Sequence, residues 1–317
     1  MSKNLIKKFQ NISHQYDLWQ KGSKIVLGVS GGPDSVAMFD IFAKLAPKYN
    51  LKLIIAHVNY GLRGKDSDLD QKLVEKYALR NELRLVVYKP VIKGKHSEEI
   101  FRNIRYNFFE KIRKDNNFDL VAVGHTLDDQ AETYLMRIIR GSGLAGLASM
   151  KFKKGNIIRP LLGITKKEIL EYLKGNKLNY RTDKTNKEIP FLRNKIRNEL
   201  IPLLEKKYNP SIKETLYKSS LNIAEDYDLI SQMAEGYYKK HRNLKISEIL
   251  KLHPALQKRV ILEAIKKEKK SLKDIEKTHL DEIIKVAKSN KSKSQIVLLK
   301  GLKITRIGDK LTINRLT

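Results

Sequence analysis

The chain has 317 residues, with 64 lysines and arginines against 35 acidic side chains, a formal net charge of +29. That length supports one large domain or two medium ones, and 41% apolar with 31% charged residues describes a globular chain, neither disordered nor fibrous. No apolar run approaches the ~20 residues needed to cross a bilayer, the opening stretch lacks a signal-peptide core, and zero cysteines exclude disulfides, thiolate metal sites, persulfide relays and cysteine nucleophiles; a cytoplasmic protein with no membrane partner is the expectation.

In chain order, residues 24–29 read as a buried strand, followed by a helix from Ser35 to about Tyr49. A second strand is expected over 51–58 and a second helix over 66–81. A third strand over 83–89 precedes a helix over 97–116, then a fourth strand over 120–124 and a helix from Asp128 to Arg140. Strand–helix alternation at this spacing predicts an α/β fold, an open parallel sheet with helices on both faces. The run Gly141-Ser-Gly-Leu-Ala-Gly-Leu-Ala148 breaks the pattern as a glycine-rich loop. Residues 203–208 end at Asn209-Pro210, a boundary signal. Helices are then expected over 211–239 and 280–288, and short strands over 295–299, 303–307 and 310–314, with Gly-Asp at the last turn. The organisation that follows is a nucleotide-binding catalytic domain over 1–205, a linker over 206–210, and a smaller, mainly helical domain over 211–317 closed by a β hairpin.

The segment richest in chemistry is Val29-Ser30-Gly31-Gly32-Pro33-Asp34-Ser35, between the first strand and its helix. An open α/β sheet binds ligands at this place. Gly31 and Gly32 let backbone N–H groups approach an anion, Ser30 and Ser35 add hydroxyls, and the helix N-terminus adds a favourable dipole. Asp34 has the wrong sign for a bare phosphate cradle but the right one for a divalent cation bridging phosphates. A plain turn capped by Ser35 or Asp34 is the simpler alternative. The loop is neither a Walker A motif nor a GxGxxG fingerprint.

A second cluster, His125, Asp128, Asp129 and Glu132, falls at the end of the fourth strand and in the first turns of the next helix, on the same sheet edge. Asp129 and Glu132, three apart, share a helix face. Acidic residues there also serve as ordinary caps and dipole complements. Arg102 and Arg105 are likewise three apart, on a face that solvent alone would explain. The glycine-rich segment is either a connector or room for a flipped base. Lysine clusters at 266–270 and 288–293 read singly as solvated faces and together as a polyanion grip, while Trp19, Tyr237 and Tyr238 read as packing residues. Both the first 210 residues and the remainder are basic, so a nucleic acid is the partner expected from charge.

The SGGPDS loop resembles the signature of the ATP-pyrophosphatase (PP-loop) superfamily. Further segments resemble its tRNA(Ile)-lysidine synthase family: His57-Val-Asn-Tyr-Gly-Leu-Arg63, Gly124-His-Thr-Leu-Asp-Asp-Gln-Ala-Glu132, Arg137-Ile-Ile-Arg-Gly-Ser-Gly-Leu-Ala-Gly-Leu147, Arg159-Pro-Leu-Leu162 and Phe191-Leu-Arg-Asn-Lys-Ile-Arg-Asn-Glu-Leu-Ile-Pro-Leu-Leu204. The likeness covers roughly residues 20–205 and is weaker beyond. Tyr60 stands where the family often has His, and longer members carry a further C-terminal domain.

The resemblance implies ATP as co-substrate and Mg2+ on Asp34, with Ser30, Gly31, Gly32, Pro33, Asp34, Ser35 and His57 binding the nucleotide. It implies that free L-lysine is received by His125, Asp129 and Glu132. Asp34, Asp129, Glu132, Arg105 and Arg193 become the catalytic candidates, the arginines because their planar forks suit phosphate. The implied reaction adenylates C2 of the wobble cytidine of isoleucine tRNA with a CAU anticodon, and lysine then displaces AMP to form lysidine. A free ε-amine has a pKa of about 10.4 and must lose its proton to attack, a task for one of the carboxylates. A sulfur-transferring relative would need cysteines, small-molecule amide synthetases need no polyanion grip, and a non-catalytic RNA binder would not need Ser30, Asp34 and Ser35. The oligomeric state stays open, a homodimer being one option.

Overall fold

The computed structural model describes residues 2–62, 64–91, 97–182, 192–269, 272, 275–289 and 294–316. Arg63, Phe191, Lys270 and positions 290–293 of the motifs and clusters above lie outside the described residues. The chain divides into two compact units, Met1–Leu221 and Asn222–Thr317.

In the first unit the order is α1 (Ser2–Gln15), β1 (Lys24–Gly28), α2 (Pro33–Tyr49), β2 (Lys52–Val58), α3 (Lys65–Arg80), β3 (Leu85–Tyr88), α4 (Glu98–Asp115), β4 (Leu120–Val123), α5 (Leu127–Ile139), α6 (Leu144–Leu147), β5 (Lys153–Lys154), β6 (Ile157–Ile158), α7 (Lys166–Gly175), α8 (Leu192–Lys195), a π turn (Ile196–Leu200), α9 (Ile201–Lys207) and the start of α10 (Ile212–Lys240). The sheet order is β3-β2-β1-β4-β6-β5, parallel except for β5 at one edge, which pairs antiparallel with β6. Alternation along the strands divides the core. Ile25, Leu27, Leu53, Ile55, Leu120 and Ala122 face one cluster, which α1, α2, α3 and α7 cover. Val26, Ile54, Ala56, Val121 and Val123 face the other, which Phe109 and Ile112 of α4 cover. Each buried valine, leucine, isoleucine or phenylalanine among them contributes about 1.5–3 kcal/mol.

The doubly covered parallel sheet agrees with the expectation; the additions are instructive. α1 is a helix beyond those expected, and its Leu5, Phe9 and Ile12, spaced along one face, are buried in the first cluster. The glycine-rich connector holds a single helical turn, α6, and the two-residue strands β5 and β6 are too short for any sequence periodicity to reveal. The division between units falls inside α10, later than the Asn209-Pro210 signal. The first turns of α10 are tied to α5: Lys213 Nζ meets Asp128 Oδ1 at 3.2 Å, and the Ser220 hydroxyl accepts from Gln130 Nε2 at 3.2 Å.

The second unit holds the rest of α10, β7 (Leu244–Lys245), α11 (Ile246–Lys251), α12 (Pro254–Glu268), α13 (Lys277–Ala287), β8 (Gln295–Leu299), β9 (Leu302–Ile307) and β10 (Lys310–Arg315). Its end is a four-stranded antiparallel sheet, β7-β10-β9-β8, in which the three expected terminal strands appear as β8, β9 and β10 and the short β7 adds an edge. Closing it requires Leu244 and Lys245 to pair with Leu311 and Lys310 across a long sequence separation. Ile304, Leu311, Val260, Ile261 and Ile283 make its core.

Gln130, inside the GHTLDDQAE segment, is fully buried. Its Nε2 donates to the Met150 carbonyl at 3.1 Å and to Ser220, and its Oε1 accepts the Met150 N–H at 3.0 Å. Gln130→Met should strand the two Met150 backbone groups and destabilise the first unit by about 1–3 kcal/mol for each group left unsatisfied, read from urea unfolding.

Candidate active site

Residues 30–35 leave the C-terminal end of β1 and enter α2. Gly31 sits at φ +87°, a left-handed conformation that side chains rarely adopt, and Gly32 caps the helix without a side chain, with Pro33 in the first turn. The Ser35 hydroxyl folds back: it donates to the Gly32 carbonyl at 2.9 Å, accepts the Ser30 N–H at 3.1 Å and lies 3.1 Å from the Ser30 hydroxyl. Ser35 therefore stiffens the loop and does not cap the helix. The loop is braced from outside by Arg181, whose N–H donates to the Gly31 carbonyl at 3.0 Å while its guanidinium holds Asp70 and Asp66. At its other flank Gly124 follows β4; a Cβ there would stand 3.2 Å from the backbone of Asp34 and Ser35.

His57 lies beneath the loop, buried, with Nδ1 2.8 Å from the Val29 carbonyl. Burial lowers its pKa, so the neutral ring donates through Nδ1 and carries its lone pair on Nε2, a buried atom with no partner among the described residues. Tyr60 is occupied otherwise: its hydroxyl donates to the Phe101 carbonyl at 2.7 Å.

Asp34 opens α2 with both carboxylate oxygens 2.6 Å from Lys166 Nζ. Burial pushes its carboxyl up to about 6; Lys166 opposes this, and Asp129 and Asp128 add to it. These carboxylates therefore share one neighbourhood at the C-terminal edge of β1 and β4. Asp128 accepts the Lys166 N–H at 2.7 Å, at the first residue of α7, and pairs with Lys213. Thr126 caps α5, and Asp129 completes a capping box by accepting the Thr126 N–H at 2.9 Å.

Asp129 and Glu132, which share a face of α5, meet two arginines. Arg193 reaches Glu132 Oε2 through Nε and Asp129 Oδ1 through Nη2, both at 2.8 Å. Arg197 reaches Glu132 Oε1 at 2.5 Å and Asp129 Oδ1 at 3.3 Å. Burial pushes the Asp129 carboxyl up, but Arg193, the Thr126 N–H and Arg197 together hold it below the usual carboxylate value. Asp129 is thus a cap and an ion-pair partner at once. His125 next to it is kept neutral: burial lowers its pKa strongly, Asp129 opposes, and Arg159, Arg102 and Arg105 reinforce the drop. Its Nδ1 is buried without a partner among the described residues.

Every expected site residue among Ser30, Gly31, Gly32, Pro33, Asp34, Ser35, His57, Arg105, His125, Asp129, Glu132 and Arg193 is described, and the ion pairs and mutual charge effects gather Asp34, His125, Asp129, Glu132, Arg105 and Arg193 at this edge. Lys166 and Arg197 were not expected. Arg197 carries a signal after all, since it lies four residues after Arg193 and so on the same helical face. Lys166 carries one only indirectly: a cation at a helix N-terminus opposes the dipole, unless a carboxylate waits for it. Among the described residues no three acidic or histidine side chains form a ready metal cluster. Asp34 is a hard oxygen donor beside the glycine loop, the kind of ligand that suits a cation completing its shell with phosphates and water.

Compared with known proteins, the chain matches the PP-loop domain family over residues 1–204. It is 36% identical to a tRNA(Ile)-lysidine synthase of Clostridium tetani over 89% of this chain and 63% of that protein. It is 32% identical to a tRNA(Ile)-lysidine synthase of Clostridioides difficile over 95% and 68%. The chain therefore spans about two thirds of the length of these relatives. A solved U34-tRNA thiolase of Methanococcus maripaludis superposes with a TM-score of 0.57 at 21% identity, over 69% of this chain and 78% of that one, a likeness of fold.

With its carboxyl pushed up to about 6 by burial, Asp34 keeps its proton in the folded protein over a pH range in which an unfolded aspartate, of ordinary value 3.8, has lost it. Between those values the native state binds more protons, so this group's contribution to stability falls as pH rises. Asp34→Asn should consequently gain stability relative to the parent protein from pH 4 to pH 7, by up to about 3 kcal/mol, read as the pH dependence of the difference in urea midpoints. A difference independent of pH would show that Lys166 fully compensates the buried charge.

Proposed function

The chain belongs to the PP-loop domain family and within it to the tRNA(Ile)-lysidine synthases, and we propose that it ligates free L-lysine to C2 of the wobble cytidine of isoleucine tRNA with a CAU anticodon, converting ATP to AMP and pyrophosphate. The observation that carries this reading is the meeting, at one sheet edge, of the glycine loop at 30–35 with the carboxylate pair Asp129 and Glu132, Asp34 feeling the charge of Asp129.

In this reading, the loop N–H groups, Ser30, Ser35 and the start of α2 hold the triphosphate, and His57 presents its unpartnered Nε2 from below. Asp34 is the residue that would hold Mg2+, which when bound supplies charge neutralisation on the phosphates. The C2 oxygen of cytosine attacks the α-phosphorus, and the α–β bond breaks with pyrophosphate leaving. Arg105 and Arg193 are the cations assigned to offset charge gathering on the phosphoryl oxygens. The lysine ε-nitrogen then attacks C2, the C2–O bond breaks, and AMP departs with its electron pair. A carbonyl oxygen leaves poorly and AMP leaves well, which is why ATP is needed.

Lysine carries a cationic amine, and Asp129 and Glu132 already hold two guanidinium groups. Its entry is thus an exchange of one cation for another, with Arg193 or Arg197 yielding an oxygen. A carboxylate of the pair takes the ε-ammonium proton, beside His125 kept neutral by burial. The catalytic part is assigned to residues 1–205, with 206–210 as connector and the basic 211–317 part as tRNA grip. A cytoplasmic setting is proposed with it; no described helix is long and apolar enough to cross a membrane.

Purified protein incubated with ATP, magnesium, labelled L-lysine and isoleucine tRNA bearing a CAU anticodon should incorporate lysine into the tRNA; no incorporation contradicts the assignment. Asp34→Ala should slow AMP and pyrophosphate release by roughly 10²–10³-fold, the scale for losing a group that stabilises transition-state charge. Binding of tRNA should be largely retained.

A further inference from the structure

The peptide that joins Gly31 to Gly32 could point either way. Gly31 sits at φ +87° and has no Cβ, so turning that peptide over costs it little. Its direction is set by Arg181, whose N–H donates to the Gly31 carbonyl at 3.0 Å. Among the described residues no peptide bond is cis, and in a trans peptide the carbonyl and the following N–H point in opposite directions. Holding the carbonyl on the Arg181 side therefore turns the Gly32 N–H towards Ser30, whose hydroxyl it reaches at 3.4 Å. So long a contact leaves that donor able to take an anion.

Arg181 is itself held by α3. Its Nε donates to Asp70 Oδ1 at 2.8 Å and its Nη2 donates to Asp66. Just before it in the chain, the Asn179 carbonyl accepts the Tyr77 hydroxyl at 2.7 Å, a second anchor on the same helix. Asp70 is buried, and a buried carboxylate that loses a cation partner is costly, which fixes the guanidinium in place. The Asp66 side chain is exposed and adds less. Asp70 also underlies the loop, since a Cβ on Gly31 would stand 3.4 Å from its carbonyl oxygen. Stability alone would be met by ion pairs between Arg181 and α3; it does not require the backbone of the same residue to clasp the loop.

We propose that Arg181 is a positioning residue for nucleotide binding: anchored on α3 by Asp70 and Asp66, it fixes the Gly31–Gly32 peptide so that the Gly32 N–H faces the triphosphate. Arg181 acts only through that peptide, and the acids of α3 act only through Arg181. The inference rests on the reading given above in one respect, that the loop at 30–35 holds the triphosphate.

The test measures ATP binding by calorimetry, with magnesium and without tRNA, for the full chain and for Arg181→Gln, Arg181→Lys, Asp70→Asn and Arg181→Pro. Adenosine, which has no phosphate for the loop to hold, is measured by competition with ATP. Arg181→Gln should weaken ATP by about tenfold or more, the scale of one hydrogen bond to a charged group, and leave adenosine unchanged. Arg181→Lys, which keeps a charge for Asp70 without the fork, should recover part of the loss. Asp70→Asn should weaken ATP as well, and combining it with Arg181→Gln should bring no further loss, because both act through one clasp. Arg181→Pro removes the N–H itself and should lose at least as much; if it fails to fold, the Gln and Asn variants decide. A lowered urea midpoint with ATP affinity unchanged would reduce Arg181 to a structural brace and overturn the proposal, as would equal losses of ATP and adenosine. A parent protein that binds no ATP would overturn it together with the assignment of the loop. Lysine incorporation is scored separately: its absence from the parent protein, with ATP still weakened in Arg181→Gln, removes the assigned reaction and leaves the role of Arg181 standing.

Discussion

Charge compensation at the C-terminal edge of the sheet is the constraint on which the rest of the first unit turns. Asp34, Asp128, Asp129 and Glu132 are brought together there by two strand–helix turns, and a buried carboxylate without a partner costs several kcal/mol. Each finds its cation on a different segment: Lys166 at the start of α7, Lys213 in α10, Arg193 in α8 and Arg197 in the π turn. The need to neutralise this edge thus pins four later segments onto β1 and β4. In the proposed reaction it would also make the site an exchanger: a divalent cation reaching Asp34 would have to win an oxygen from Lys166, and an ammonium reaching Asp129 or Glu132 would have to win one from an arginine. The π turn at 196–200 fits this role, since such irregular turns re-aim side chains and recur at functional sites.

Much of this was legible in the residues. The strand–helix alternation, with apolar runs such as residues 25–27 and 53–56, is the direct signature of a sheet buried on both faces. The glycines and serines of the loop point to a tight turn with hydroxyls turned inward because backbone conformation and hydroxyl spacing are local properties. Cation partners are different. Lys166 looks like any of the chain's many lysines until the fold sets it 2.6 Å from Asp34, a contact across 132 positions of sequence. Arg181 is similar, since nothing near it in the chain says that its N–H closes the loop at Gly31. The short strands β5, β6 and β7 escape for another reason, because two residues carry no period. The double duty of Asp129, cap and ion-pair partner, shows why a local reading and a functional one need not compete.

A sheet shared with a tRNA thiolase does not carry thiolation with it, because fold and reaction are separable. These 317 residues contain no cysteine through which sulfur could pass, whereas they do contain a carboxylate pair suited to an amine. The excess of basic residues, present on both sides of Pro210, suits a polyanionic substrate and weighs against a small-molecule amidation. What distinguishes the edge chemically is the acid cluster of Asp34, Asp128, Asp129 and Glu132, matched one for one by cations from later segments.

The central claim is that the loop at 30–35 grips a triphosphate so that its inner linkage is the one to break. Phosphorus-31 NMR of the nucleotides formed from ATP with magnesium, tRNA and lysine tests this most directly. The account predicts AMP and pyrophosphate appearing in equal amounts; ADP with inorganic phosphate as the products would contradict it.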